Sequence, residues 1–473
     1  MTKTYDVVIL GGGTGGYVAA IRAAQLGKTV AIVEKDKLGG TCLHRGCIPS
    51  KALLRSAEVY ATMNKSAEYG IDAAGLSLNF AKVQDRKEGI VAQLHKGVQY
   101  LMGKHKIDVI RGRGRVIGPS IFSPKSGAVA VELEDGEMET IVPVNLIIAT
   151  GSRPRVLPGL EPDGRLVLSS EEALELTEVP KSIMIVGGGV IGVEWASMLN
   201  DFGSEVTLVE ASPRLVPQED EDISRELERL LKKRGITVLT GAVVDTGSVR
   251  KDADRVFLQA AYKGETKELA AEKVLVSVGR EANVENIGIE NTDIKLVNGV
   301  IKVNESMQTT EPHIYAIGDV IGGLQLAHAA SHEGITAVEH LAGQKIHPIS
   351  AHRVPRCIYT RPEIASVGWT QAQAQENGRQ LKIGKFPFSA IGKALVYGES
   401  DGFVKVIADK ETDDILGVHM IGPHVTDYIS EAALAQVLDA APWEVAGTIH
   451  PHPTLSEILG EAMSAVDGKQ IGM

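Results

Sequence analysis

The sequence predicts an α/β fold with two Rossmann-like dinucleotide-binding domains followed by a C-terminal α+β domain. Two Gly-x-Gly-x-x-Gly turns, each set between an apolar strand and a helix, predict the two nucleotide domains. The length of 473 residues suggests about three domains at roughly 150 residues each. Beyond about residue 346 the pattern changes to alternating strands and two helices, which predicts the third domain.

The first turn carries glycines at positions 11, 13 and 16, after an apolar strand from Val7 to Leu10. Gly11, Gly13 and Gly16 permit a tight turn, close approach of a pyrophosphate, and close packing of helix on strand. The helix N-terminus then faces the phosphates. Glu34 ends the next strand, where an acid can accept a hydrogen bond from a ribose hydroxyl.

The second turn repeats this arrangement at Gly187, Gly189 and Gly192, and its second strand ends at Glu210. The third glycine and the acid are 18 positions apart in both copies. Two nucleotide sites are therefore predicted.

Two of the three cysteines, Cys42 and Cys47, lie in the segment from Gly39 to Lys51. Pro49 suits the first turn of a helix, so Cys47 is expected near a helix N-terminus. The positive end of the helix dipole favours a thiolate there and makes the sulfur reactive.

Three interpretations of this pair stay open. A structural disulfide is disfavoured because so few cysteines are not typical of an oxidised secreted scaffold. A metal site would need further ligands, and His450 with His452 lacks a usual zinc spacing, so no metal is predicted. A catalytic dithiol/disulfide couple is the interpretation we favour.

A dithiol and a nicotinamide exchange electrons by different chemistry, and a flavin bridges the two. We therefore expect FAD at one turn and a nicotinamide dinucleotide at the other. Asp319 follows a strand and a glycine, where it could reach a sugar or polyol hydroxyl or simply form a turn.

A general base is expected at His452. Pro453 is predicted to begin a helix whose following turns bring Glu457 to the imidazole, as the third group of a triad orients its histidine. A structural histidine is the alternative.

Composition excludes two classes of partner. The net charge is −11 with scattered basic residues, so nucleic acid and anionic membranes are not expected partners. The sequence carries no apolar run approaching 18 residues and no signal-peptide pattern at its start, which predicts a cytoplasmic protein.

Taken together, these motifs resemble the pyridine nucleotide-disulfide oxidoreductase family over essentially the whole chain. The redox segment ending at Lys51, both glycine turns, Ala149 to Ser152, Gly318 with Asp319, and His452 to Glu457 stand in family order. With the proline-rich linker after Ser152, the expected division is 1–150 (FAD-binding, first part), 151–276 (NAD-binding), 277–345 (FAD-binding or central, second part) and 346–473 (dimerisation).

The resemblance also implies further site residues. FAD is implied at the first turn, with Asp319 at the ribitol, and the other expected contacts are Lys51 paired with Glu194, Gly114, Thr150, Gly151 and Ala327. NAD is implied at the second turn, with Glu210, Val243 and Gly279.

The implied activity is oxidation of protein-bound dihydrolipoamide with reduction of NAD⁺. It implies a homodimer that lends His452 and Glu457 to the neighbouring subunit, and as partners a lipoyl domain and the acyltransferase core of a 2-oxo acid dehydrogenase complex. An NADPH-dependent glutathione-type reductase is the alternative, and a non-catalytic assembly subunit is a more distant one. The chain departs from the family pattern at Leu43-His44-Arg45 and at Glu281-Ala282.

Overall fold

A computed structural model describes residues 3–119 and 125–472. They form two compact units. The first holds residues up to Ala52 with Lys82–Arg155 and Arg280–Ala351, and the second holds Leu53–Ala81, Val156–Gly279 and the chain from His352 onward.

The described strands are, in chain order, β1 Lys3–Leu10, β2 Val30–Glu34, β3 Asp108–Ile117, β4 Ala128–Leu133, β5 Met138–Ile148, β6 Ser152–Pro154, β7 Val167–Ser169, β8 Ser182–Val186, β9 Glu205–Glu210, β10 Thr237–Thr240, β11 Val243–Lys251, β12 Val256–Tyr262, β13 Glu265–Ala271, β14 Lys273–Val276, β15 Arg280–Ala282, β16 Leu296–Val297, β17 Val300–Ile301, β18 Ile314–Ala316, β19 Arg356–Ile358, β20 Glu363–Gly368, β21 Leu381–Pro387, β22 Phe403–Asp409 and β23 Ile415–Gly422.

The described α-helices are α1 Thr14–Gln25, α2 Gly40–Arg45, α3 Cys47–Asn64, α4 Phe80–Lys104, α5 Ser170–Ala173, α6 Val190–Asp201, α7 Glu221–Lys233, α8 Ala327–Leu341, α9 Gln371–Glu376, α10 Gly392–Tyr397, α11 Val425–Val437, α12 Pro442–Ala446 and α13 Glu457–Ala465. None of them is long and apolar enough to cross a membrane.

The first unit is built on a parallel sheet in the order β3-β2-β1-β5-β18. Strand β4 pairs antiparallel with the remaining lengths of β3 and β5. Val7, Val8 and Ile9 of β1 are fully buried, as expected for a parallel sheet covered on both faces. The carboxyl ends of the parallel strands share one edge, where such sheets bind their ligands.

The second unit contains another parallel sheet, in the order β10-β9-β8-β14-β7. The strands β11, β12 and β13, which lie between β10 and β14 in the sequence, form a separate antiparallel sheet. The rest of this unit contains the antiparallel sheet β19-β20-β23-β22-β21. Its apolar core joins Val404 and Val406 of β22 to Ile429 of α11 and Ile458 of α13.

The two parallel sheets and the C-terminal antiparallel sheet confirm the predicted fold class. Two details of the sequence prediction were wrong. The helix expected to begin at Pro453 begins at Glu457. Five α-helices, not two, lie within residues 352–472.

Candidate active site

The redox segment coils so that its two cysteines form a disulfide. Cys42 lies in α2, Cys47 is the first residue of α3, and their Cα atoms are 4.7 Å apart. An extended chain would place them about 17 Å apart, so the break between the two helices at Gly46 makes the pairing possible. Cys47 occupies the helix N-terminus that the sequence predicts, where the helix dipole favours its thiolate.

The first glycine turn leads directly from β1 into α1. Gly11 has a φ of +111°, and a Cβ at Gly16 would collide with the carbonyl oxygen of Gly11. Glycine is therefore required at both positions. The open backbone before the α1 N-terminus is the cradle that a pyrophosphate needs, so these residues fit FAD.

Glu34 lies where the sequence predicts it, at the end of β2. Its Oε2 accepts a hydrogen bond of 2.7 Å from the backbone N–H of Gly12. Its Oε1 accepts another, of 2.8 Å, from Asp36. Both bonds fix the carboxylate beside the turn, where its remaining lone pairs can accept from a ribose.

Asp319 follows β18 at the same sheet edge and belongs to a polar cluster. Its Oδ2 accepts a 2.5 Å hydrogen bond from Oγ of Ser152, which itself accepts one of 2.7 Å from Nε of Arg280. Glu333 of α8 accepts from the N–H of Gly318, and burial raises the pKa of Glu333. Sequence reasoning missed Ser152, Arg280 and Glu333 as parts of this cluster, because they come from distant segments.

The remaining residues expected near FAD belong to the first unit as well. Thr150 and Gly151 follow β5, and the Thr150 hydroxyl donates to the Asn283 carbonyl oxygen at 2.8 Å. Gly114 lies in β3, where a Cβ would crowd Val33 and Leu10.

Two other residues expected near FAD belong to helices. Ala327 begins α8, and Lys51 lies in the first turns of α3.

The second glycine turn has the same geometry between β8 and α6. Gly187 has a φ of +111°. Glu210, at the end of β9, accepts from the N–H groups of Gly188 at 2.5 Å and Ser212 at 2.6 Å. In both turns the acid therefore accepts from the N–H of the residue after the first motif glycine, Gly12 or Gly188, which lies 22 positions before it.

The other residues expected at this turn belong to the same unit. Gly189 precedes α6 and Gly192 lies in its first turn. Val243 begins β11 and is exposed, and Gly279 follows β14 with a φ of +109°.

Glu194 of α6 is buried, and its Oε1 accepts a 2.9 Å hydrogen bond from the N–H of Tyr359. The expected pairing of Glu194 with Lys51 joins the two units and stays a prediction.

Arg214 is the cation nearest in sequence after Glu210, and its guanidinium makes three hydrogen bonds to the loop that follows it and to α7. It donates to the carbonyl oxygens of Glu219 at 2.7 Å and Pro217 at 2.5 Å, and to Oγ of Ser224 at 2.7 Å. These three donors are therefore already in use within the protein.

His452 and Glu457 form a hydrogen-bonded pair. Nδ1 of His452 lies 2.9 Å from Oε1 of Glu457, and the imidazole is 77% exposed. Partial burial opposes ionisation of Glu457, but hydrogen bonds from the N–H of Thr454 and from His452 keep its pKa below the ordinary value. The ionised carboxylate can only accept, so Nδ1 carries the proton and Nε2 is left as a base.

His450, weighed above as a metal ligand, instead pairs with Glu431 at 2.8 Å. Within residues 3–119 and 125–472, no group of three or more histidine, cysteine or acidic side chains could hold a metal ion.

Comparisons with known proteins extend this picture. Residues 5–334 match the family model described as pyridine nucleotide-disulphide oxidoreductase, and residues 354–463 match its dimerisation domain. A dihydrolipoyl dehydrogenase of Bacillus subtilis is 65% identical over 472 residues, covering 100% of both chains, and one of Zymomonas mobilis is 41% identical with the same coverage.

Solved structures resemble the chain over nearly its whole length. LpdA from Mycobacterium tuberculosis gives a TM-score of 0.89 at 27% identity, covering 98% of this chain and 99% of that one. The HOCl-induced flavoprotein disulfide reductase RclA of Escherichia coli, solved as a Cu(II) complex, gives 0.85 at 28% identity with the same coverage.

Proposed function

This chain belongs to the pyridine nucleotide-disulphide oxidoreductase family, and we propose from that premise that it oxidises protein-bound dihydrolipoamide to lipoamide and reduces NAD⁺ to NADH. Its cofactors are FAD and NAD. The observation that carries the proposal is the Cys42–Cys47 disulfide at a helix N-terminus, in the same unit as a glycine turn that fits FAD.

The reaction begins with a proton transfer and a disulfide exchange. Nε2 of His452 takes a proton from one substrate thiol, and the thiolate attacks Sγ of Cys42. The Cys42–Cys47 bond breaks, a mixed disulfide forms at Cys42, and Cys47 leaves as a thiolate stabilised by the α3 dipole. The second substrate thiol then attacks the substrate sulfur of the mixed disulfide, and its proton passes to the departing sulfur of Cys42, which releases oxidised lipoamide and leaves Cys42 as a thiol.

Two electrons now reside on the dithiol of Cys42 and Cys47. FAD held by the first glycine turn, Glu34 and Asp319 would supply a group that can take this electron pair from sulfur and deliver it to NAD⁺ as a hydride. Glu457 keeps the imidazole of His452 oriented and stabilises its charge while it holds the substrate proton.

The dimerisation domain supports a homodimer. We propose that His452 and Glu457 act in the active site of the partner subunit. The exposure of His452 supports this, because an imidazole that is 77% exposed is open to a second chain.

A lipoyl domain and the acyltransferase core of a 2-oxo acid dehydrogenase complex are the proposed partners. The cytoplasm is the proposed location.

We propose the cofactor contacts and domain boundaries expected from the sequence, with the first glycine turn, Glu34 and Asp319 serving FAD and the second turn with Glu210 serving NAD. The alternative, an NADPH-dependent glutathione-type reductase, is disfavoured because Glu210 would repel a 2′-phosphate and Arg214 is held by its own loop.

An assay of two substrate pairs tests the proposal. The purified protein should reduce NAD⁺ with dihydrolipoamide and should show little oxidation of NADPH with oxidised glutathione. The opposite preference would establish the alternative.

A further inference from the structure

Two histidines of the first unit meet at a single backbone oxygen just before α2, the helix that carries Cys42. Nε2 of His44 and Nδ1 of His95 each lie 2.9 Å from the carbonyl oxygen of Leu38. Their rings are 5.0 Å apart and nearly perpendicular, with an interplanar angle of 70°. His44 belongs to α2, between the two cysteines in sequence, and His95 belongs to α4.

The contact fixes which nitrogen of each ring carries the donated proton. A carbonyl oxygen can only accept hydrogen bonds and has two lone pairs. His44 must therefore carry a proton on Nε2 and His95 a proton on Nδ1. Burial, together with the nearby His95 ring, holds the pKa of His44 below its ordinary value, which is consistent with a neutral ring that donates from one nitrogen.

The peptide group that the histidines hold is tied at its other end to the FAD-binding turn. The N–H of Gly39, in the same peptide as the Leu38 carbonyl, donates to the carbonyl oxygen of Gly12 at 2.8 Å. A bridge joins Gly39 to Gly13, and a Cβ on Gly40 would lie only 2.6 Å from Cα of Gly13. One peptide thus connects the glycine turn with the first residue of α2.

This connection has little rigidity of its own. Gly39 and Gly40 have φ values of +108° and +58°, and glycine loses more conformational entropy on ordering than any other residue. The Leu38 side chain is anchored in the apolar core, but its carbonyl direction is not set by that packing. The bond from Gly39 to Gly12 restrains the N–H end of this peptide, and the two imidazoles, one from α2 and one from α4, restrain its carbonyl end.

A second contact ties α2 to the same segment but contributes less. Nη2 of Arg45 lies 2.9 Å from Oδ2 of Asp36, and both side chains are more than two-fifths exposed. Exposed pairs of this kind contribute little stability, so the half-buried histidine pair is the stronger restraint on α2.

We propose that His44 and His95 are positioning residues for the redox disulfide. By donating to the Leu38 carbonyl they hold α2, and with it Cys42, in a fixed orientation against the FAD-binding turn. The inference rests on the proposed function, because it assigns to Cys42 and Cys47 the electron transfer described above. Each ring contacts the Leu38 carbonyl oxygen and the other ring, so the effect on the disulfide is through the position of α2.

Variants in which a side-chain amide nitrogen takes the place of the donating ring nitrogen provide the test. The amide nitrogen of glutamine reaches about as far as Nε2 of histidine, and that of asparagine about as far as Nδ1. His44→Gln and His95→Asn should therefore retain the donation, whereas His44→Leu and His95→Leu remove it. His44→Asn keeps a polar side chain but falls short, and it replaces His44→Leu if the leucine variant does not fold.

The readout is reduction of the disulfide by dithiothreitol, followed by the absorption band in which the Cys47 thiolate donates charge to bound oxidised flavin. At equal FAD content the leucine variants should reduce roughly three- to tenfold more slowly, which corresponds to one net hydrogen bond. The midpoint potential of the Cys42–Cys47 couple should shift in the same variants. His44→Gln and His95→Asn should recover the wild-type rate and potential.

Two results would overturn the proposal: leucine variants that match the wild type, or amide variants as impaired as the leucine variants. The reductant is not the lipoyl substrate, so the two hypotheses fail separately. If the leucine variants are reduced more slowly as expected, but the wild type does not oxidise dihydrolipoamide, only the proposed function is contradicted.

Discussion

Nζ of Lys405 lies 2.8 Å from Oδ1 of Asp220, and both side chains are almost fully buried. The lysine also donates to Asp222 at 3.0 Å and to Gln371 at 2.8 Å. Asp220 in turn caps α7 by accepting from the N–H of Asp222. The buried ammonium thus connects strand β22 of the antiparallel sheet with the N-terminus of α7, the helix that follows β9.

Replacing Lys405 by methionine should destabilise the protein strongly. The substitution leaves the Asp220 carboxylate buried without its cation, which costs about 3–5 kcal/mol. The midpoint of urea unfolding measures the loss. Lys233→Met is the control, because the exposed Lys233–Asp401 pair contributes about 0–1 kcal/mol. Equal effects of the two substitutions would contradict the structural role of Lys405.

Discrimination between NAD and NADP should depend on Glu210 and not on Arg214. Glu210→Ala removes the carboxylate that repels a 2′-phosphate, so the ratio of kcat/KM for NAD⁺ to that for NADP⁺ should fall. Arg214→Lys should leave this ratio close to the wild-type value, since the guanidinium is bound within its own loop. A ratio near one in the wild type would favour the glutathione-type alternative.

The two sulfurs should differ in their relation to the flavin. Two-electron reduction of the wild type should produce the long-wavelength band of the Cys47 thiolate, and Cys47→Ser should abolish it. Cys42→Ser leaves Cys47 as a free thiol at the α3 N-terminus, so the band should be present before any reduction. A band that persists in Cys47→Ser would reverse the assignment of the sulfurs.

The parts of the site that sequence could predict are those set by neighbouring residues. The collision of Gly16 with the Gly11 carbonyl is local, so glycine spacing alone identifies the turn. The pairing of Lys405 with Asp220 spans 185 positions, and no local pattern encodes it. Helices α9, α10 and α12 have six, six and five residues, too few to show a helical period.

The start of α13 illustrates a different limit. Proline suits the first turn of a helix, which favoured a start at Pro453. In the structure the chain turns first, with the Thr454 hydroxyl donating to the Pro451 carbonyl oxygen, and Glu457 then accepts from the Thr454 N–H. These side-chain bonds compete with the helix and delay it until Glu457.

Glu363 should make the stability of the protein depend on pH. Burial raises the pKa of Glu363, although it accepts hydrogen bonds from the N–H and hydroxyl of Thr426. As the pH rises above about 4.3, the unfolded chain ionises first at this residue, so stability falls until the folded group ionises as well.

Glu363→Gln lacks this titration and can still accept from Thr426. The stability of the variant minus that of the wild type should therefore be larger at pH 8 than at pH 4. The urea midpoints of both proteins, measured at each pH, give this difference. A stability difference that does not change with pH would refute the assignment to Glu363.

Active sites shared between subunits should allow two inactive chains to restore each other. In a two-fold dimer the contacts are reciprocal, so Cys47 of each chain would meet His452 of the other. Coexpressed Cys47→Ser and His452→Gln chains then form heterodimers in which one site collects both lesions and the other collects none. Random pairing makes about half the dimers mixed, so roughly a quarter of wild-type activity should return. If His452 served its own chain, every site would carry one lesion, and activity would stay at the level of the two parent homodimers.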